Sequence, residues 1–479
     1  MHKMLLFFAS SLGLTTAIFA SHPGQAATPT LTTLVSFYGG NGAGPSGGLI
    51  ADTQGNLLGA TALGGANSMG TVFEILKTRN GYDTSPTVLV DFDGKNGSEP
   101  SAALVADAKG NLFGTTVFGG TGNAGTAFEI AKTKGGYAST PTILFSFDGV
   151  HGANPSSSLI ADAQGNLFGT TDAGGANGMG TVFEIVKTRG GYASTPTILF
   201  SFDGAHGAHP LAGLIADDKD NLFGATYFGG ASTNCDNGCG TVFEIAKTKS
   251  GYADTPTILV SFNGTNGENP AATPSFDSNG NLFGTTIRGA GNQACPFPDG
   301  CGTVFEIAKT NGGYASTPIT LVSFNFSNGS FPGTSLTIDA RDNLFGTTLD
   351  GGAGGVGTIF ELVKTGSSYA STPTTLVSFN SFNGAGPSGG LLADASGDLF
   401  STAGSGGAVG KGIVFELTGS GFVPLAFAGS PGSSDCYGRS VLSLQQQDQN
   451  LDAAAAARGL DRAEVLQTAI IKYCAPSVQ

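Results

Sequence analysis

The chain has 479 residues, 78 of them glycine, with 12% charged residues and a formal charge of −14. A polypeptide this long and this weakly charged has too much apolar surface to stay disordered, and its acidity argues against nucleic acid or an anionic membrane as a partner.

At the start, His2 and Lys3 precede an apolar run from Met4 to Ala20 and then the segment Ser21 to Ala26, the order of a secretory signal peptide. The run is interrupted by Ser10, Ser11, Gly13, Thr15 and Thr16 and is shorter than the roughly 20 apolar residues of a membrane span. Residues 1–26 are therefore expected to be removed, after Ala26 or else after Ala20. No later segment is apolar enough to span a bilayer as a helix. The mature chain is expected to be exported, to the periplasm, the medium or the cell surface, and to be a monomer.

Residues 27–429 carry one phrase seven times. Its opening half begins at Asn56, Asn111, Asn166, Asn221, Asn281, Asn343 and, altered, Asp398; its answering half begins at Gly70, Gly125, Gly180, Gly240, Gly302, Gly357 and Gly412. Repeats of this period form rings or solenoids. In the second copy four strand-like runs can be read, Ala102–Asp107, Asn111–Thr116, Thr126–Ala131 and Thr142–Phe147, separated by turn-forming residues. Their apolar residues are nearly continuous, as in sheets buried on both faces. The expected fold is all-β, a seven-bladed β-propeller of four-stranded antiparallel blades with a small C-terminal α-helical appendage. Eight fourth-strand candidates face seven sets of the other three. The N-terminal one, Thr32–Phe37, is expected to close the ring in the last blade, with Phe422–Phe427 as the alternative.

The first two strands are joined by Asp-x-x-Gly-Asn, as at Asp52–Asn56 and Asp162–Asn166, with Asp220 and Asp342 in the glycine place of two copies. These carboxylates could suggest calcium, but recurrence in every copy and the sparse spacing favour turn capping. Pro155, Leu159, Asp162, Gly165-Asn-Leu-Phe-Gly-Thr-Thr171, Gly174-Gly175 and Gly180-Thr-Val-Phe-Glu184 together resemble the GloVer tandem repeat of exported bacterial proteins with varied surface anchors. The resemblance covers roughly residues 31 to 427. It implies export and a propeller-like fold, and no activity. Departures at Asp398, Ser401 and Ala403 predict an imperfect seventh blade.

Ser430–Asp435 reads as a linker, and 436–479 as a small helical domain closed by Cys436 and Cys474. Its helix-turn-helix appearance is countered by Asp448, Asp452, Asp461 and Glu464, and DNA binding is not expected. From answering Gly to next opening Asn the distance is 41 residues throughout; from opening Asn to answering Gly it is 14, except for 19 in copy 4 and 21 in copy 5. The extra length holds Cys235 and Cys239 in one copy and Cys295 and Cys301 in the other. Two local disulfides are the economical reading, and a four-cysteine zinc site the rival.

In an up-and-down blade the second-to-third loops and the inter-blade connections share one face, and here that face varies. Asp172, Tyr227, Phe228, Arg288 and Asp350 follow the Thr-Thr positions, and His151 and His206 replace asparagines found elsewhere. These are the candidate binding residues. The recurrent glutamates, such as Glu184, could ring a cation channel, but a hydrogen-bonded scaffold role is favoured. The reading that results is a binding or interaction module for a carbohydrate or surface protein, without cofactor or metal. The alternatives are a polysaccharide-active hydrolase or lyase, using His151, His206 or His209 with Asp172 or Asp350, and a structural envelope protein. The reading leans away from an enzyme.

Overall fold

A computed structural model describes residues 28–291 and 295–424. Seven four-stranded antiparallel sheets follow one another along the chain. Blade 3 is typical, with an inner strand Ile160–Ala161, a second strand Leu167–Thr171, a third strand Thr181–Ile185 and an outer strand Thr197–Ser201.

Each residue of the phrase has a separate physical task. Asp162 caps the first turn, its Oδ1 accepting from the amides of Gln164 and Asn166. Asn166 donates to Asp162 Oδ2 at 2.8 Å and accepts from the Lys187 amide at 2.8 Å, tying the turn to the end of the third strand. Leu167 and Phe168 point to opposite sides of the blade. Leu167 packs with Phe113 and Phe147 toward blade 2, and Phe168 with Leu214 and Phe243 toward blade 4. This two-sided burial explains the continuous apolar runs. Gly169 leaves room for the Phe183 ring, whose Cζ would lie 2.7 Å from an added Cβ. Thr170 donates to the Ala212 carbonyl of blade 4 at 2.9 Å, a stitch between blades. Thr171 pairs its hydroxyl with that of Thr181 at 2.9 Å, both side chains fully buried.

Blade 7 is complete. Ala403 and Ile413 replace both members of the buried threonine pair and meet in the same register, so neither leaves an unpaired hydroxyl behind. The N-terminal strand Thr30–Ser36 pairs antiparallel with Ile413–Thr418 as the outer strand of this blade. The ring is thereby closed by the expected segment. Of the alternative closing segment, residues 422–424 are described, and there Phe422 stacks edge-on against Phe345 of blade 6, ring centroids 5.1 Å apart.

Between third and outer strands the recurring Lys-Thr-x-x-Gly-Tyr stretch is a two-stranded hairpin, Lys187–Thr188 with Gly191–Tyr192 in blade 3. The tyrosine reaches the preceding blade, Tyr192 lying 5.5 Å from Phe113, while Lys187 Nζ sits 3.8 Å from the centre of the Tyr192 ring. In blade 7, Phe422 takes the tyrosine's place. Burial first, and then the carboxylates of the preceding blade, push the Tyr82 and Tyr137 hydroxyls up to about 12.

No helix occurs among the described residues. The expected signal peptide, helical appendage and Cys436–Cys474 pair lie outside them.

Candidate functional site

Inter-blade connections pair with the second-to-third loops through bridges such as Ala153 with Ala173, Ala208 with Phe228 and Glu268 with Arg288. The variable segments therefore do share one face. Both expected disulfides, Cys235–Cys239 and Cys295–Cys301, are formed on it, which leaves no four-thiolate zinc site there. They fit an oxidising compartment. No helix among the described residues is long and apolar enough to cross a membrane.

Residues of all seven blades, mostly small and among them Ser46, Ser101, Ser156 and Ser388, line one open cavity of about 200 Å³. The recurrent glutamates do not line it. They lie on the opposite, turn-bearing side, where burial raises Glu74, Glu184, Glu244 and Glu306 while a lysine of the next blade draws each back down. One hydrogen bond to a turn asparagine accompanies them, Asn56 Nδ2 to Glu74 at 3.5 Å. The lysines of the next blade act on these glutamates by electrostatic attraction across the blade boundary.

On the variable face one backbone position recurs with a left-handed conformation: Glu99, Asn154, His209, Asn269 and Phe331 have φ between 54° and 57°, and Gly44 and Gly386 occupy it in the remaining blades. Its backbone bridges two blades. The His209 amide donates to the Met179 carbonyl of blade 3 at 2.9 Å, and its own carbonyl accepts from the Tyr227 amide of blade 4 at 3.0 Å. The fold dictates the backbone there and lets the side chain vary, although Asn154 and Asn269 use theirs to donate to the Val117 and Tyr227 carbonyls at 3.0 Å.

At the junction of blades 3 and 4 that side chain is an imidazole. His209 Nδ1 lies 3.0 Å from Asp172 Oδ1, and its ring stands edge-on to Phe228 at 5.8 Å. Tyr227 packs against Phe228 at 4.7 Å. Met179, Gly204, Ala208, His209, Phe228 and Asn237 enclose a pocket of about 320 Å³. Asn237 stands in the loop pinned by Cys235–Cys239.

Of the predicted contacts, the structure brings Asp172, Tyr227 and Phe228 together and leaves the others apart. Arg288, in blade 5, points to Asp299 at 3.5 Å within the second disulfide loop. Asp350 lies in blade 6, its carboxyl raised by burial. His151 and His206 sit in equivalent turns, Nδ1 bound to Asp148 at 2.8 Å and to Asp203 at 2.9 Å. Burial pulls those two carboxyls upward, yet the backbone and ring hydrogen bonds of the histidines outweigh it and hold them below the usual range. Each imidazole also meets a phenylalanine edge-on, Phe145 or Phe200, where the other five blades carry valine. The histidines and phenylalanines are exchanged together, as packing partners that lock a turn. His209 is the histidine at the pocket. Its signal in the sequence was a polar side chain at a position that other copies fill with Gly, Glu, Asn or Phe.

A family model described as the Gloeobacter/Verrucomicrobia repeat matches residues 16–150, 137–293 and 231–459. No curated protein matches the chain. Among solved structures, the chain is similar to a Trichoderma reesei carbohydrate-active enzyme of family AA12 in its calcium form, at 12% identity and TM-score 0.40, over 82% of this chain and 96% of that one. It is also similar to a putative oxidoreductase (glucose dehydrogenase) from Thermus thermophilus, at 13% identity and TM-score 0.40, over 81% and 99%. A luciferin-regenerating enzyme matches at 13% identity and TM-score 0.38, over 83% and 97%.

Proposed function

The chain belongs to the Gloeobacter/Verrucomicrobia repeat family, and we propose that it acts as an exported binding module whose ligand occupies the variable face over the junction of blades 3 and 4. The observation that carries this reading is the pocket itself. Six of seven inter-blade junctions lack a histidine at the left-handed position, and the one that has it couples an oriented imidazole to an apolar wall of Met179 and Phe228. Concave sites with a mostly apolar lining and a few directed polar groups are where ligands bind. The disulfide loop stiffens one rim, so less ordering is required on binding. Export is supported by the leader-like N-terminus and by the two disulfides.

Glycan and peptide arrays probed with the wild-type protein and with a Phe228→Ala, His209→Ala variant test this. Loss of binding in the variant at an unchanged melting temperature is the expected result. Binding that survives both substitutions would move the ligand elsewhere. Because Asp172 orients the His209 ring, the alternative of an acid/base enzyme keeps a definite form: polysaccharide turnover abolished in His209→Ala would establish it in place of simple binding.

A further inference from the structure

The blade 3/4 pocket has a counterpart. The chain contains four methionines, and apart from Met1 and Met4 these are Met69 and Met179, at equivalent places in blades 1 and 3. Both are partly exposed, at 38% and 36%. Both carbonyls accept from the left-handed residue of the next blade, Glu99 and His209 respectively, at 2.9 Å. Both side chains lie over the next inter-blade turn, with sulfurs 3.2 and 3.5 Å from where a Cβ on Gly94 or Gly204 would stand. Across each seat lies a phenylalanine in the same register, Phe118 bridged to Ser98 and Phe228 bridged to Ala208. The loop after each phenylalanine also holds an asparagine with positive φ, Asn123 at 55° and Asn237 at 64°, at neighbouring rather than identical repeat positions. No other junction combines Met with Phe.

We propose that these two seats form one docking surface for a polypeptide segment that carries apolar side chains flanked by lysine or arginine. The proposal rests on the reading of the variable face as a binding face and adds the class of partner. Thioether and phenyl groups make an adaptable apolar seat, suited to a Leu, Met or Phe side chain. Eight of the eleven exposed large apolar side chains among the described residues stand on this face, Tyr38, Val150 and Phe382 included. Exposed apolar side chains gathered on one face in this way point to an interaction surface. Charge sets the partner's sign: Lys95, Arg288 and Lys411 are the face's basic residues, and its carboxylates outnumber them, with Glu99 beside one seat and Asp172 and Asp203 beside the other. The turn-bearing face differs, since there a lysine from most blades answers the carboxylates. A basic segment is therefore steered to the variable face, and its apolar residues select the seats.

The test starts with a random-peptide display library selected on the immobilised full chain, followed by titration of the enriched peptides into protein labelled with 13C at the methionine methyls. Met69→Leu and Met179→Leu assign the two signals. Enrichment of basic peptides bearing Leu, Met or Phe is expected, with both methyl signals shifted, affinity falling as salt rises, and binding about tenfold or more weaker in a Phe118→Ala, Phe228→Ala variant. Acidic or featureless selected sequences, an absence of enrichment, or peptides that leave both methyl signals in place would overturn the proposal. A glycan that shifts the Met179 signal when no peptide does would remove this partner class while preserving the binding face. If neither moves a signal, both readings fall.

Discussion

The substitution pattern of blade 7 predicts how the buried threonine pairs contribute to stability. In blade 3 the Thr171 hydroxyl meets the Thr181 hydroxyl at 2.9 Å, donates to the Ala173 carbonyl at 2.9 Å and accepts from the Thr181 amide at 3.1 Å. Thr171→Ala alone strands the Thr181 hydroxyl in a site with no water access, at about 1–3 kcal/mol, and deletes a buried methyl at about 1 kcal/mol. The Ala173 carbonyl loses less, because it still accepts from the Ala153 amide at 2.7 Å. The single change should therefore destabilise by about 3 kcal/mol. Thr171→Ala with Thr181→Ile reproduces the Ala403 and Ile413 pair, removes both hydroxyls and restores volume, so it should lie within about 1 kcal/mol of wild type. Urea unfolding followed by tyrosine fluorescence reads the difference, the chain having no tryptophan, with midpoints compared at unchanged slope. A double variant as unstable as the sum of its two single changes would refute the argument.

Tyr192→Phe should be close to neutral, because Phe422 does the same work in blade 7, whereas Tyr192→Ala should destabilise by about 3 kcal/mol in the same urea assay. Glu361 is raised by burial and then by Asp339, and blade 7 has Gly419 where other blades present the compensating lysine. Since its folded pKa lies above the unfolded value, its contribution is fully favourable below the unfolded pKa and is lost as pH rises through the folded one. Glu361→Gln should therefore raise the melting temperature at pH 7 and leave it nearly unchanged at pH 4. Deleting residues 28–36 removes the strand paired with Ile413–Thr418; the bared edge should produce dimers or aggregates by light scattering, with a monodisperse monomer as the contrary result. Reduction of Cys235–Cys239, a four-residue separation, should cost about 2 kcal/mol by chain entropy. It should also weaken ligand at the blade 3/4 seat while sparing the blade 1/2 seat, which has no disulfide.

The strand grid, the closing strand, the capped turns and both loop disulfides were legible because each depends on residues close in the chain or on counting along it. The hairpin that carries Tyr192 has no strand signal in the sequence, its strands being two residues long and without an apolar pattern of their own. Its signal was the tyrosine returning at a fixed offset, since a residue that recurs in a loop must touch something that recurs. The site was legible in part. Asp172 and Phe228 were found by asking which positions vary, yet their pairing with His209 is a contact between blades, and adjacency of that kind is not encoded in the period. Arg288 and Asp350 vary as well, but each is directed by its own blade's loops to a different sector of the ring. His151 and His206 look chemically poised in sequence, and the phenylalanines beside them reveal a packing origin.

The left-handed junction position bears on how such a chain can change. Its amide and carbonyl are already spent on the two flanking blades, and a φ near 57° costs most L residues about 1 kcal/mol or more, asparagine less and glycine nothing. Of the seven such positions, Glu99 and His209 can therefore be exchanged with little consequence for folding, whereas Gly44 and Gly386 would take on that cost, Asn154 and Asn269 would give up side-chain hydrogen bonds to the Val117 and Tyr227 carbonyls at 3.0 Å, and Phe331 would lose its packing on Phe297. A combinatorial library confined to Glu99 and His209 would vary the surface of two junctions on a constant frame. The same economy lets repeated blades diverge in the side chains they present while remaining alike in how they stack.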